Sequence, residues 1–396
     1  MFRKTIFWIH LCCGVAAGLI VLMMSVTGVI LTYERQILAW HDSGAYTYQP
    51  RPDEQRLPVE TLLQLGSTDG FNASSLILSS DPTGPAILSA GRAGRKHLNP
   101  YTGDVHPPAS DSLDQFFSAV TGWHRWFNVS GEGRSTARAV TGTANLMFLF
   151  LVLSGIYLWL PPVIRWATLR GRLWFHKNAS SGQARDFNWH HVFGIWAAIP
   201  LVVIVATATV FNYTWANNLV YQLAGEQPPQ RGAAASGTSE SQQQASIDPT
   251  QLQSLELLFQ VAANSEIAGD WNSISINLPD PGAATVSFAI DQGNGGQPQK
   301  RHTLTLDAQS GEVAVWAPFT SQTPGQQARR WVRFLHTGEA LGIPGQTVAG
   351  LVSFFAVFMV WTGLALSLRR LMRFIKRRHQ SNVRTADSQV LVEELS

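Results

Sequence analysis

Cysteine is nearly absent. The chain has 2 in 396 residues, and these two, Cys12 and Cys13, are neighbours inside an apolar run. That excludes a disulfide framework and a thiolate-rich metal site, and the lack of any C-x-x-C-H excludes covalent haem attachment. No G-x-G-x-x-G follows a strand pattern, so no nicotinamide or flavin domain of that type is encoded. Charge is missing from four long windows, 5–33, 139–164, 187–225 and 340–368, which contain no Asp, Glu, Lys or Arg. Each window can supply the roughly 20 apolar residues that cross a ~30 Å hydrocarbon core.

Four membrane helices are therefore expected, at about 6–31, 139–161, 190–213 and 346–368. The first is too long for a signal-peptide core and has no A-x-A-like site behind it, so it reads as an uncleaved anchor. The positive charge lies between and around the helices. Arg3 and Lys4 precede the first. Arg165, Arg170, Arg172, Lys177 and Arg185 fill the short connection between the second and third. Arg369, Arg370, Arg373, Lys376, Arg377 and Arg378 follow the fourth. The positive-inside rule places all three groups in the cytoplasm. The net charge of +3 thus describes topology and gives no reason to invoke nucleic acid. Both long connections then lie outside, in the periplasm of a Gram-negative host.

The resulting division is helix 1–33, outer domain 34–136, helix 137–164, cytoplasmic loop 165–187, helix 188–213, outer domain 214–341, helix 342–368 and cytoplasmic tail 369–396. The two halves resemble each other. His10 is followed by Gly14 and, 17 residues on, by Thr27; His190 is followed by Gly194 and, again 17 residues on, by Thr207. Both outer segments carry a short strand, a turn (TGDV, SGEV), a helical stretch and a histidine, His124 or His336. The closing helices carry Ser154-Gly155 and Thr362-Gly363. Alternation in SSLILSS, PAILSA, ISINL, ATVSFAI and HTLTLDA predicts strands, and GNGG (293–296) a hairpin turn. Phe116, Phe117, Val120, Trp123 and Phe127 have helical spacing and would deliver His124 to the membrane surface. Residues 225–249 are rich in Gly, Ser, Gln and Ala and read as a disordered insertion.

The four histidines fall on two levels: His10 and His190 at the cytoplasmic ends of the first and third helices, His124 and His336 beside the opposite ends of the second and fourth. Two imidazoles per level is what bis-histidine haem ligation needs, and with no c-type motif the two haems would be b-type. Gly14 and Gly194, one turn beyond their histidines, would leave room for a flat ring. Structural zinc is the chemical rival, but it wants four ligands and neither level offers them. His41, His97, His106, His176, His302 and His379 lack this pairing and read as ordinary polar residues. His191 points about 100° away from His190 around the helix, free for a propionate, a headgroup or nothing.

FWIHLCCG, NPYTGDV followed by GWHRW, NWHHVFG, SGEV and RFLHTGEALGIPG, taken together, resemble the PepSY-associated transmembrane family, whose members include FoxB-like ferric-siderophore reductases. The resemblance spans almost the whole chain. It implies four membrane helices, two periplasmic α+β PepSY-type domains and bound haem, with His10, His124, His190 and His336 as the ligating histidines. His191 stands where the pattern more commonly has an arginine.

The expected activity is one-electron transfer across the inner membrane to a ferric siderophore, whose hard oxygen ligands hold Fe(III) far better than Fe(II). The chelate would dock on the outer side. There Trp123, Trp126, Trp331, Arg125, Arg134, Arg330 and Arg333 could stack on it or steer it; Arg134 and Arg333 could equally meet haem propionates. The tryptophans also suit an interfacial aromatic belt. The donor would be a quinol, a cytoplasmic protein or a soluble reductant. Two alternatives remain open: a membrane module that binds a peptide or assembly partner without redox activity, and a haem relay to a protein or quinone.

Overall fold

The computed structural model describes all residues except 68–69, 92–93, 107–110, 230–251, 281 and 395–396. The chain divides into two compact units, a helical one (1–32, 119–213 and 347–396) and a sheet unit (33–118 and 214–346).

The helical unit contains the expected spans, as helices Phe2–Leu31, Gly133–Trp159, Gly182–Asn212 and Gly342–Glu394. All four are long and apolar enough to cross a membrane. Each runs past its charge-free window at one end, because the backbone ladder continues through charged residues once a helix is nucleated. Gly182–Asn212 begins at Ser181, whose hydroxyl accepts the Ala184 N–H, so His190 lies two turns inside the helix and not at its mouth. The second helix packs against both the first and the third. Small and branched residues fill the contacts: Ala17, Val21 and Ala144 in one cluster, Val152, Ala197, Leu201, Val352 and Ala356 in another.

The helix that carries His124 is Asp111–Trp126. Its predicted last apolar residue falls outside it. Phe127 and Asn128 both adopt left-handed backbone (φ 54° and 55°) and end the helix, a conformation costly for a residue with a Cβ. The Asn128 N–H returns to the Gly122 carbonyl, and the Asn128 side chain occupies the space where a Cβ on Gly122 would sit. The turn into the second span is thereby fixed.

The sheet unit departs from the expectation of two outer domains. The strands of both segments form one antiparallel sheet: β1 (Ser75–Ser79), β2 (Ala86–Ser89), β3 (Arg95–Leu98), β4 (Val105–His106), β5 (Ser273–Asn277), β6 (Thr285–Asp291), β7 (Arg301–Asp307) and β8 (Val313–Ala317), in the order β4-β3-β2-β1-β5-β6-β7-β8. The seam is β1–β5, with Leu76 opposite Ile276 and Leu78 opposite Ile274. Left apart, each half would expose the polar edge of its best-packed strand; pairing removes both edges at once.

Inward residues at every second position, among them Leu76, Leu88, Leu98, Ile274, Ile276, Phe288 and Leu304, are fully buried beneath helices Val59–Gly66 and Leu255–Asn264. Arg56 bonds both oxygens of Glu256 at 2.8 Å, and the second oxygen also accepts the Val59 N–H, which links the two covering helices. Ile276→Ala, at the centre of this seam, should cost about 2–5 kcal/mol, visible as a lowered thermal unfolding midpoint of the purified protein.

Two turns in this unit share one design. Asn99 Oδ1 accepts the N–H groups of Tyr101 and Thr102, and Gly103 has φ 75°. Asp307 Oδ1 accepts those of Gln309 and Ser310, and Gly311 has φ 71°. These are the TGDV and SGEV turns. The GNGG segment, predicted as a tight hairpin, is part of a longer connection that includes the 3₁₀ turn Pro298–Lys300. Most of the expected insertion 225–249 lies outside the described residues.

Candidate histidine centre

The first span presents His10 to the second. The His10 Nδ1 lies 2.8 Å from the Ser154 hydroxyl oxygen, and a Cβ on Gly155 would touch the His10 ring at 3.6 Å. Ser154 has already given its single proton to the Phe150 carbonyl of its own helix, at 2.6 Å. A hydroxyl so engaged is an acceptor, which favours a His10 that donates from Nδ1 and carries its proton there. Nε2 is left bare, as a metal ligand must be.

The third span does the same with the fourth. His190 Nδ1 lies 3.0 Å from the Met359 carbonyl and 3.2 Å from the Thr362 hydroxyl, and a Cβ on Gly363 would meet its ring at 3.3 Å. Thr362 donates to the Phe358 carbonyl at 2.7 Å, and a carbonyl has no proton to give. His190 is thus Nδ1-protonated with Nε2 bare.

His124 repeats the arrangement against the first span. Its Nδ1 lies 2.9 Å from the Thr27 hydroxyl, which donates to the Met23 carbonyl at 2.7 Å, and Gly28 approaches its ring, where a Cβ would lie 3.5 Å away. Three histidines are therefore seated on a hydroxyl–glycine pair of another helix: Thr27-Gly28, Ser154-Gly155 and Thr362-Gly363. The hydroxyl offers the ring nitrogen an acceptor and the glycine lets the ring lie close to the backbone. In the sequence two of these pairs are visible only as dipeptides in matching helices, and Thr27 only by its spacing from His10. The missing signal was the chemistry of the dipeptide, since Ser or Thr back-bonded to its own helix is an acceptor for one neighbour.

Gly14 and Gly194 each face a neighbouring helix. A Cβ at Gly14 would meet Leu151 of the second span at 3.8 Å, and one at Gly194 the Met359 sulfur at 3.5 Å. Each sits one turn from its histidine and faces the same helix that seats that histidine, at ordinary contact distance. His191 donates from Nδ1 to the carbonyl of Phe187, at 2.8 Å, and its ring lies against the Phe187 ring. It is held by its own helix, apart from the seat of His190.

Arg125 and Arg134 lie over the Trp126 ring, at 4.7 and 3.9 Å from its centroid. Trp123 is half exposed. In the sheet unit, His336 occupies the last turn of helix Pro324–Thr337, which opens with a Thr323–Gln326 capping box and closes at Gly338 in left-handed conformation (φ 76°). A Cβ there would meet the Gly345 carbonyl oxygen at 2.4 Å, so only glycine fits. Arg333 lies over the Phe334 ring, and Trp331 makes an edge contact with Phe319. Burial holds the Arg330 guanidinium below its ordinary pKa.

Near the start of the third span, buried Asp186 binds Arg185 and Arg369, at 2.9 and 2.6 Å, joining the third and fourth spans. Arg172 caps the second span at the Trp159 carbonyl. Among the described residues no group of three or more His, Cys, Asp and Glu side chains could hold a metal ion by itself.

The family model described as the PepSY-associated TM region matches residues 7–370. No curated protein matches the sequence.

Proposed function

Because this chain belongs to the PepSY-associated TM family, and because its histidines are seated as they are, we propose that it is a di-haem b oxidoreductase of the bacterial inner membrane. It passes electrons outward to reduce a ferric siderophore and release Fe(II). The observation that supports the reading is the common seating of His10, His124 and His190, each with Nδ1 within hydrogen-bond distance of a hydroxyl or carbonyl of another helix, which leaves Nε2 for a ligand. A ligand that is oriented and made more basic from behind is what an axial imidazole requires. The residues fit the group.

Haem held by two imidazoles supplies one-electron storage with no change of ligands. His10 and His190 would hold the inner haem, His124 and His336 the outer one; His336 is assigned from the sequence alone. The basic residues of 165–185 and 369–378 put that side in the cytoplasm and the sheet unit in the periplasm. An internal repeat is supported by the common 17-residue spacing to Thr27 and Thr207, the two matching turns, and a sheet whose strand order mirrors about β1–β5. Arg125 and Arg134 beside Trp126 offer guanidinium and indole faces to propionates or an anionic chelate. Each ferric chelate takes one electron and, as Fe(II), loosens from its hard oxygen ligands. The donor is a quinol or a cytoplasmic protein.

The test is spectroscopic. Purified protein should show a Soret band and, when reduced with dithionite, α-bands that are lost on adding a ferric hydroxamate as Fe(II) appears in a ferrous trap. Colourless protein would favour the non-redox PepSY module instead. His191→Ala should leave haem content and this reaction near the parent, because His191 bonds only within its own helix; loss of the inner haem in that variant with its retention in His190→Ala would exchange the two roles.

A further inference from the structure

The two inner histidines differ in how many acceptors hold them. Among the described residues, His10 Nδ1 has Ser154 as its single hydrogen-bond partner, at 2.8 Å. His190 Nδ1 has two, the Met359 carbonyl at 3.0 Å and the Thr362 hydroxyl at 3.2 Å. The carbonyl belongs to the backbone and survives any side-chain change. We propose that Ser154 is the residue that decides the tautomer and ligating strength of the inner pair, while Thr362 is redundant with the Met359 carbonyl. Ser154 acts through His10 and is a positioning residue.

The consequence follows from proton bookkeeping. Ser154 is buried, with its own proton on the Phe150 carbonyl. Without the hydroxyl, the His10 Nδ1–H would lose the one acceptor it has among the described residues. An imidazole in that position relieves the loss by moving the proton to Nε2, the nitrogen needed for the iron. Loss of an outer partner of a metal-ligating histidine typically weakens metal binding about 10- to 100-fold. At His190 the carbonyl can accept but never donate, so the ring keeps its proton on Nδ1 whether or not Thr362 is present. The same contrast holds at the iron. A histidine whose Nδ1–H is strongly accepted is a more basic ligand and favours Fe(III), so its loss moves the haem potential upward.

This inference rests on the haem reading only for its signal at the iron, and the tautomer can be read without haem. Full-length protein in detergent would be compared as parent, Ser154→Ala, Thr362→Ala and Ser154→Thr. Inner-haem retention on dilution should fall about 10- to 100-fold in Ser154→Ala, with a more positive inner midpoint potential, and stay near the parent in Thr362→Ala. Ser154→Thr should restore both, since threonine already occupies the other seat fully buried.

In haem-free, ¹⁵N-histidine-labelled protein, the His10 resonances, identified by their loss in His10→Gln, should report an Nδ1–H tautomer in the parent and in Ser154→Thr. They should report a mixed or reversed one in Ser154→Ala. Equal losses in the two alanine variants, or an unchanged His10 tautomer in Ser154→Ala, would overturn the proposal. If the parent bound no haem the functional reading would fall, and the nitrogen spectra would still decide this one.

Discussion

His190→Ala is expected to lower bound haem from about two per chain to about one, because a bis-histidine site that loses one axial ligand loses most of its hold on the ring. The remaining haem should keep the spectrum of the outer centre. The effect should be among the largest of any single substitution, for two reasons visible at the seat. His190 is held from behind by both Met359 and Thr362, which fixes its ring in one orientation. Its neighbour His191 is committed to the Phe187 carbonyl, and taking over the site would require rotation of the third span against the fourth. Haem quantified as its pyridine complex, with the α-band of the reduced protein at low temperature, gives the measurement. Full haem content with an unshifted spectrum would show that His190 is not a ligand. Loss of both haems with a collapsed thermal midpoint would instead report unfolding, and His190→Gln, which retains a hydrogen-bonding side chain, separates the two cases.

His124→Ala should abolish Fe(II) release from a ferric hydroxamate while leaving the inner haem reducible. His124 is the histidine that Asp111–Trp126 carries to the first span, where Thr27 orients it and Gly28 makes room for its ring. The turn at Phe127 and Asn128 prevents this helix from running on into the second span, so its last turn is fixed in direction. If electrons leave through this centre, losing it ends the path within the membrane. Stopped-flow mixing of reduced protein with the chelate, read at the α-band and in a ferrous trap, should show reoxidation in the parent and none in the variant. Turnover equal to that of the parent would move chelate reduction to the opposite face and end the transmembrane relay. A Thr27→Val variant should fall between the two, since it removes the acceptor and leaves the imidazole.

The four helices were legible because a membrane span is written as an uninterrupted lack of charge, which no tertiary contact is needed to interpret. The strands SSLILSS, PAILSA, ISINL, ATVSFAI and HTLTLDA were legible for a similar reason, since alternation at period two reports a sheet with one covered face. β3, β4 and β8 were not read. RKHL and VH are short and carry charge or histidine, and VAVWA is apolar throughout without alternation. They are strands because antiparallel neighbours supply their hydrogen bonds.

The histidines themselves stood out by number and spacing, and nothing beyond sequence was required to single out His10, His124, His190 and His336. What the sequence could not carry was the identity of their partners. Ser154 is 144 positions from His10, and Thr362 is 172 from His190. Local propensity says nothing about which of many back-bonded hydroxyls will meet an imidazole across a helix interface. The same limit explains Gly14 and Gly194, whose spacing beside a histidine is a sequence property but whose contact with Leu151 or Met359 depends on which helix packs there. It also explains the single eight-stranded sheet. Each half encodes its own hairpins through short-range turns, whereas the β1–β5 seam joins residues some 200 apart, and only the assembled fold decides that two exposed edges satisfy one another. Hydrophobic pattern and turn chemistry, being local, fixed the elements; edge pairing and helix pairing, being long-range, set the sheet's seam and the partners of His10, His124 and His190.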